Sequence, residues 1–92
     1  MSTDAFATRR RRALYRATHR GSKELDFLLG RFVAQAIGDV DEPCLAALER
    51  LIEVPDPDIA SSLYDGNSLG DPALDALMVR LREFHGVVQS AH

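Results

Sequence analysis

The sequence predicts an all-α fold, a compact single-domain bundle of about five short helices. Three observations lead there. Apolar residues recur at three- and four-residue spacing along most of the chain. No stretch alternates apolar and polar residues as a half-buried strand would. Glycines and Asp-Pro pairs cut the periodic runs into segments of helical length. A chain of 92 residues supports one domain, residues 1–92, with no second core. Residues 1–8 and 89–92 are the expected frayed ends.

The first helix is predicted from about Ala5 to Thr18. Phe6, Ala13, Leu14 and Ala17 form a weak apolar stripe, and Arg9, Arg12, Arg16 and Arg20 fall on the other side at helical spacing. Gly21 breaks this helix, and Ser22 is suited to accept a hydrogen bond from a free N–H at the start of the next. The second helix, Lys23 to about Ile37, is the most apolar. Leu25, Leu28, Leu29, Phe32, Val33 and Ala36 make a stripe broad enough for the centre of a bundle, and Gly38 stops it. Asp41 is read as the cap of a third helix, with Pro43 tolerated in its first turn and Leu45, Leu48, Leu51 and Ile52 turned inward. A short fourth helix is expected with Asp56 as cap, Pro57 at the first helical position, Ile59 and Leu63 inward, and Gly66 at its end. Asp71-Pro72 repeats that start signal. Leu74, Leu77, Met78, Leu81, Phe84 and Val88 then carry a last helix to about Val88, with Gly86 fraying its end.

Charge is divided along the chain. Residues 1–23 carry a net charge of +6 and residues 24–92 carry −9, giving −3 overall, a basic arm on an acidic body. The Arg9–Arg12 run lacks the apolar segment of an export signal, so no cleaved leader is expected. No apolar run approaches the roughly 20 residues that span a bilayer, so membrane insertion is not expected. One cysteine, Cys44, rules out an internal disulfide and suits a reducing compartment, so the expected location is cytoplasmic. Cys44 lies on an apolar helical face and reads as a small core residue.

Enzyme chemistry finds little support. The chain has no glycine-rich phosphate loop, no nucleophile elbow and no Cys/His set at metal-ligand spacing. Asp56 and Asp58 are explained by capping and the helix macrodipole. The arginine stripe admits three readings: a solvated face, attraction to an acidic partner, or phosphate neutralisation by a small nucleic-acid binder. The acidic balance of the whole chain weighs against the last, and no nucleic acid is expected as partner.

The segment Arg20-Gly21-Ser22-Lys23-Glu24 is the most informative. As a plain turn, Gly21 bends the chain, Ser22 caps, and Glu24 with Asp26 complements the positive end of the second helix. That reading leaves Arg20 without a task, because an exposed Arg–Glu pair contributes only about 0–1 kcal/mol. As a binding corner, a guanidinium gives bidentate hydrogen bonds, a glycine admits a partner backbone, and a carboxylate completes the set. Both readings stand on the residues alone.

The run RGSKELD within "LYRATHRGSKELDFLLGRF" resembles the RGxxE signature of the SdhE family, bacterial relatives of mitochondrial succinate dehydrogenase assembly factor two. The similarity continues through "LERLIEVPDPDIASSL" and ends in "LDALMVRLREF", covering roughly residues 10–84. One departure is Ser62, where many relatives carry an aromatic residue, so a packing or docking contact is expected to be weaker there. The resemblance implies a small five-helix, non-catalytic assembly factor, monomeric when free. It would bind the flavoprotein subunit of succinate dehydrogenase, or of fumarate reductase, and promote covalent attachment of FAD to it. It would hold no cofactor stably itself, in keeping with the absence of a dinucleotide fingerprint. Carried over by position, Arg20, Gly21 and Glu24 would form the partner-binding surface, with Asp26 and Arg16 beside them. Facing outward, they should be replaceable without unfolding the free domain.

Overall fold

The computed structural model describes residues 2–86, with side chains from residue 5 onward. Five helices follow one another: α1 (Ser2–Thr18), α2 (Lys23–Ala36), α3 (Glu42–Glu53), α4 (Asp56–Asp65) and α5 (Pro72–His85), with a 3₁₀ turn at Ile37–Asp39. Among the described residues there is no strand. The all-α expectation holds, and most boundaries lie within a residue or two of the sequence reading. At the start, α1 begins at Ser2, so it runs through much of the segment expected to fray. At the end, Gly86 in the left-handed region closes α5 at His85, and the predicted continuation to Val88 and the frayed 89–92 lie outside the described residues.

The core is a single apolar cluster contributed by every helix. Leu25, Leu29, Phe32 and Val33 of α2 meet Leu45, Leu48, Leu51 and Ile52 of α3, with Leu74, Leu77, Met78 and Leu81 of α5 against them. Ala13 and Ala17 of α1 and Ile59 and Leu63 of α4 complete it. Cys44 is half-buried against this cluster, at its edge. Phe84, expected inward, is exposed instead, in an edge-to-face contact with Phe32 at a centroid distance of 5.9 Å. Its neighbour His85 donates from Nε2 to the carbonyl of Leu28 at 2.7 Å, tying the end of α5 to the middle of α2.

Two helix starts behave as their sequences suggest. Asp41 accepts from the Cys44 N–H at 3.0 Å and Asp71 from the Ala73 N–H at 3.0 Å, each satisfying a donor the helix cannot use internally. The third differs. Asp56 is not a cap: Pro55 holds that position, Asp56 is the first helical residue, and its carboxylate turns away to another helix.

Gly30 explains how α1 and α2 approach so closely. A methyl group built on it would lie 2.6 Å from Cγ2 of Thr18, closer than non-bonded carbons sit. Thr18 has little freedom to yield, because its χ1 is stiff and its hydroxyl donates back to the Leu14 or Tyr15 carbonyl, each at 3.0 Å. A glycine inside a helix costs about 1 kcal/mol relative to alanine; here it permits the helix contact that buries Ala13 and Ala17.

Ser62 is buried in α4, and its carbonyl accepts from Nη1 of Arg82 at 3.0 Å. The residue that replaces an aromatic of the related family therefore occupies a packing position.

Candidate functional site

Gly21 makes the bend between α1 and α2 with φ of +99°, a region that side chains with a Cβ rarely enter. Nothing lies within 4 Å of where its Cβ would be, so the glycine is required by its backbone and not by crowding within the chain. Ser22 caps α2 by accepting from the Leu25 N–H at 3.4 Å. Gly21, Lys23 and Glu24 are exposed.

Arg20 points the other way. Its side chain is only 8% exposed. Nε donates to Oδ1 of Asp56 at 2.8 Å, Nη1 to the carbonyl of Ile52 at 2.6 Å and Nη2 to the carbonyl of Val54 at 2.6 Å, with Nη2 also 2.6 Å from Asp56 Oδ1. The last carbonyls of a helix have no partner within it, and their partial negative charge attracts a cation. One guanidinium therefore closes α3 and ties it to the first residue of α4. Its own backbone N–H donates to Asp26 Oδ1 at 2.6 Å, which fixes the bend from the α2 side. The expectation that Arg20 faces a partner is corrected: burial and three internal acceptors give it a full task within the fold. Asp26 likewise works on the bend itself.

Glu24 is exposed as expected but not idle. It accepts a hydrogen bond from the hydroxyl of Tyr64 on α4, and this bond pushes the Tyr64 phenol up to about 12. Tyr64 was absent from the sequence reading, since a contact across 40 residues leaves no local mark. The exposed edge of the corner thus runs from Gly21 through Lys23 and Glu24 to the ring of Tyr64.

The arginine stripe lies along α3 as a ladder. Arg9 donates from Nε to Glu49 at 3.2 Å, from Nη2 to Glu49 at 2.8 Å and from Nη1 to Glu42 at 2.7 Å. Arg16, half-exposed, pairs with Glu53, and Arg20 continues the series with Asp56. The Arg9 hydrogen bonds hold the Glu49 carboxyl below the usual carboxylate range, more than burial there raises it. The acidic partner anticipated for the basic arm is, for these three arginines, the chain's own third helix and the start of the fourth. Beside the ladder a shallow groove of about 280 Å³ is bordered by Arg16 and by Tyr15 and His19, whose rings stack with centroids 4.0 Å apart.

Among the described residues, no cluster of three or more His, Cys, Asp or Glu is placed to hold a metal, and no helix is long and apolar enough to cross a membrane.

Comparison with known proteins agrees over most of the chain. Residues 11–85 match the model of a family described as flavinator of succinate dehydrogenase. A protein of Acetobacter pasteurianus named FAD assembly factor SdhE is 32% identical over 83 residues, covering 90% of this chain and 76% of that one. A protein of Scheffersomyces stipitis named succinate dehydrogenase assembly factor 2, mitochondrial, is 33% identical over 81 residues, 85% of this chain and 54% of that one. No solved structure matches.

Proposed function

The chain belongs to the family of flavinators of succinate dehydrogenase, and we propose on that footing that it is an assembly factor for the flavoprotein subunit of that enzyme. It binds the subunit and promotes covalent attachment of FAD, without holding the flavin itself. The observation that carries this reading is the family match spanning residues 11–85, which includes the whole Arg20–Glu24 corner.

On this reading the corner divides its labour. Arg20 and Asp26 act as positioning residues that set the bend, while Gly21 and Glu24 form the contact edge. Gly21 presents backbone with no side chain in front of it, so another backbone can approach closely. Glu24 offers a carboxylate held in place by Tyr64. A protein that brings no reactive group assists a reaction by binding the competent conformer of its client better than the others. The client's own residues then carry out flavin attachment. Arg16, paired with Glu53 and half-exposed, flanks the edge and can exchange its partner for one on the client.

The nucleic-acid reading is weakened by the ladder, because Arg9, Arg16 and Arg20 already have carboxylate partners within the chain.

The test is co-expression with the flavoprotein subunit of succinate dehydrogenase or, in a parallel arm, of fumarate reductase, reading covalent flavin fluorescence on a denaturing gel. Wild type raises flavin incorporation into the succinate dehydrogenase subunit. Glu24→Ala, whose replaced side chain is exposed, lowers it several-fold with the helical signal of the free chain intact. Equal incorporation with and without the wild-type chain would refute the proposal.

A further inference from the structure

An apolar groove of about 650 Å³ lies between α1 and α2, on a face away from the arginine–glutamate ladder. Leu14 and Thr18 of α1 and Phe27, Gly30 and Ala34 of α2 form its apolar surface. At Gly30 the place a Cβ would take is already filled by the Thr18 methyl group, and the Thr18 hydroxyl is turned back onto its own helix, so only apolar atoms of Thr18 face α2 here. Phe27 stands 55% exposed at the groove's side, with the Arg31 guanidinium 5.3 Å from its ring centre. Single exposed apolar residues on a surface need no explanation. Phe27 is different because it borders a concave site of ordinary ligand-pocket size.

The charges around this groove are mostly positive. Lys23 and Arg31 lie on its rim, and Arg11 falls one turn before Leu14 on the same helical face. Among the described residues none of the three has a carboxylate partner, whereas Arg9, Arg16, Arg20 and Arg50 all do. The one acid in the lining, Asp26, is occupied by the Arg20 N–H. A basic rim attracts acidic segments to this face.

We propose that this groove receives an acidic amphipathic segment of the client flavoprotein, an apolar side chain seated beside Phe27 and carboxylates reaching Lys23, Arg31 and Arg11. The inference rests on the client assignment above and extends the contact from the corner along α2. Lys23 belongs to both surfaces, so the two are continuous. The chain's own residues 87–92, VVQSAH, carry no acidic side chain and do not complement the rim.

The experiment titrates purified succinate dehydrogenase flavoprotein subunit onto wild type, Phe27→Asp, Arg31→Glu and Glu24→Ala. A benzophenone amino acid at position 34, an exposed lining position whose alanine carries no charge, then maps the neighbouring peptide by mass spectrometry. Phe27→Asp should weaken binding by about tenfold or more, as loss of an aromatic anchor does. Arg31→Glu should weaken it several-fold and flatten its dependence on salt, with wild-type helicity. The cross-link should fall on a client peptide carrying Asp or Glu beside an apolar residue. Wild-type affinity for both groove variants, with binding lost only in Glu24→Ala, would overturn the groove and leave the client assignment standing. A cross-link to residues 87–92 or to a second copy would overturn it in favour of that occupant. No binding by wild type would remove the client assignment and this inference together.

Discussion

Asp56-Pro57 and Asp71-Pro72 are the same dipeptide at the start of a helix, and the fold uses them differently. Asp71 caps α5 by its side chain and makes a half-exposed contact with Arg50 at 3.2 Å. Asp56 lies one position later, inside the first turn of α4, and its carboxylate goes to the buried guanidinium of Arg20. A cap needs only an acceptor, and asparagine serves as well as aspartate. A partner for a buried cation needs the charge. The local sequence writes both residues alike; what separates them is an arginine 36 positions away.

The largest expected effect falls on that arginine. Arg20→Ala leaves the Ile52 and Val54 carbonyls without their donor and Asp56 without its cation. The expected loss is about 2–4 kcal/mol, below the ~3–5 typical of a wholly buried pair because Asp56 keeps some access to water. That is a large share of the ~5–15 kcal/mol that holds a small domain together. Asparagine at the two aspartates sharpens the comparison. Asp56→Asn should cost about 1.5–3 kcal/mol, the range for hydrogen bonds to charged groups, whereas Asp71→Asn keeps its cap and should cost no more than the ~0–1 kcal/mol of an exposed pair. Equal losses in urea unfolding would mean that the two sites differ only in appearance.

Gly30→Ala comes next. Overpacking against Thr18 costs about 1–3 kcal/mol, offset by about 1 kcal/mol of helix propensity, so a net loss of up to about 2 kcal/mol is expected. Adding Thr18→Ser removes the clashing methyl group and keeps the hydroxyl, and it should recover most of the loss. No recovery would place the cost elsewhere.

The smallest effect is on pH. Glu49, through its Arg9 hydrogen bonds, and Asp75, through the Leu69 N–H and then the Ser68 hydroxyl, are held below their ordinary values of 4.5 and 3.8. The unfolded chain takes up these protons first as pH falls. Their stabilisation is therefore full above the ordinary values and is lost as pH falls through the lowered folded ones. The urea midpoint should be level through this neutral side and decline in acid, and Glu49→Gln should make the decline shallower.

Much of the fold was legible because its signals are local. Apolar spacing placed Leu25, Leu29, Phe32 and Val33 in the core, and Ser22, Asp41 and Asp71 announced their helices. At the corner, Gly21 and Glu24 are exposed as expected, since a break followed by a cap is written in adjacent residues. Arg20 was misread because its acceptors, two of them backbone carbonyls, lie 32 to 36 residues on. A backbone carbonyl has no letter in a sequence. Tyr64 and Gly30 were missed for the same reason: each matters through one contact between helices. The arginine ladder was half legible: attraction to an acidic partner was one of three readings, with nothing to say that the partner was within the chain.

The central claim is that one five-residue corner divides its work, with Arg20 holding the domain together and the edge beyond it meeting the client. The most direct test is the urea unfolding midpoint of Arg20→Ala beside that of Glu24→Ala, each compared with wild type. The account predicts a clearly lowered midpoint for Arg20→Ala and one close to wild type for Glu24→Ala. An Arg20→Ala chain that unfolds where wild type does would contradict it, and would return the guanidinium to the surface as a group that serves a partner.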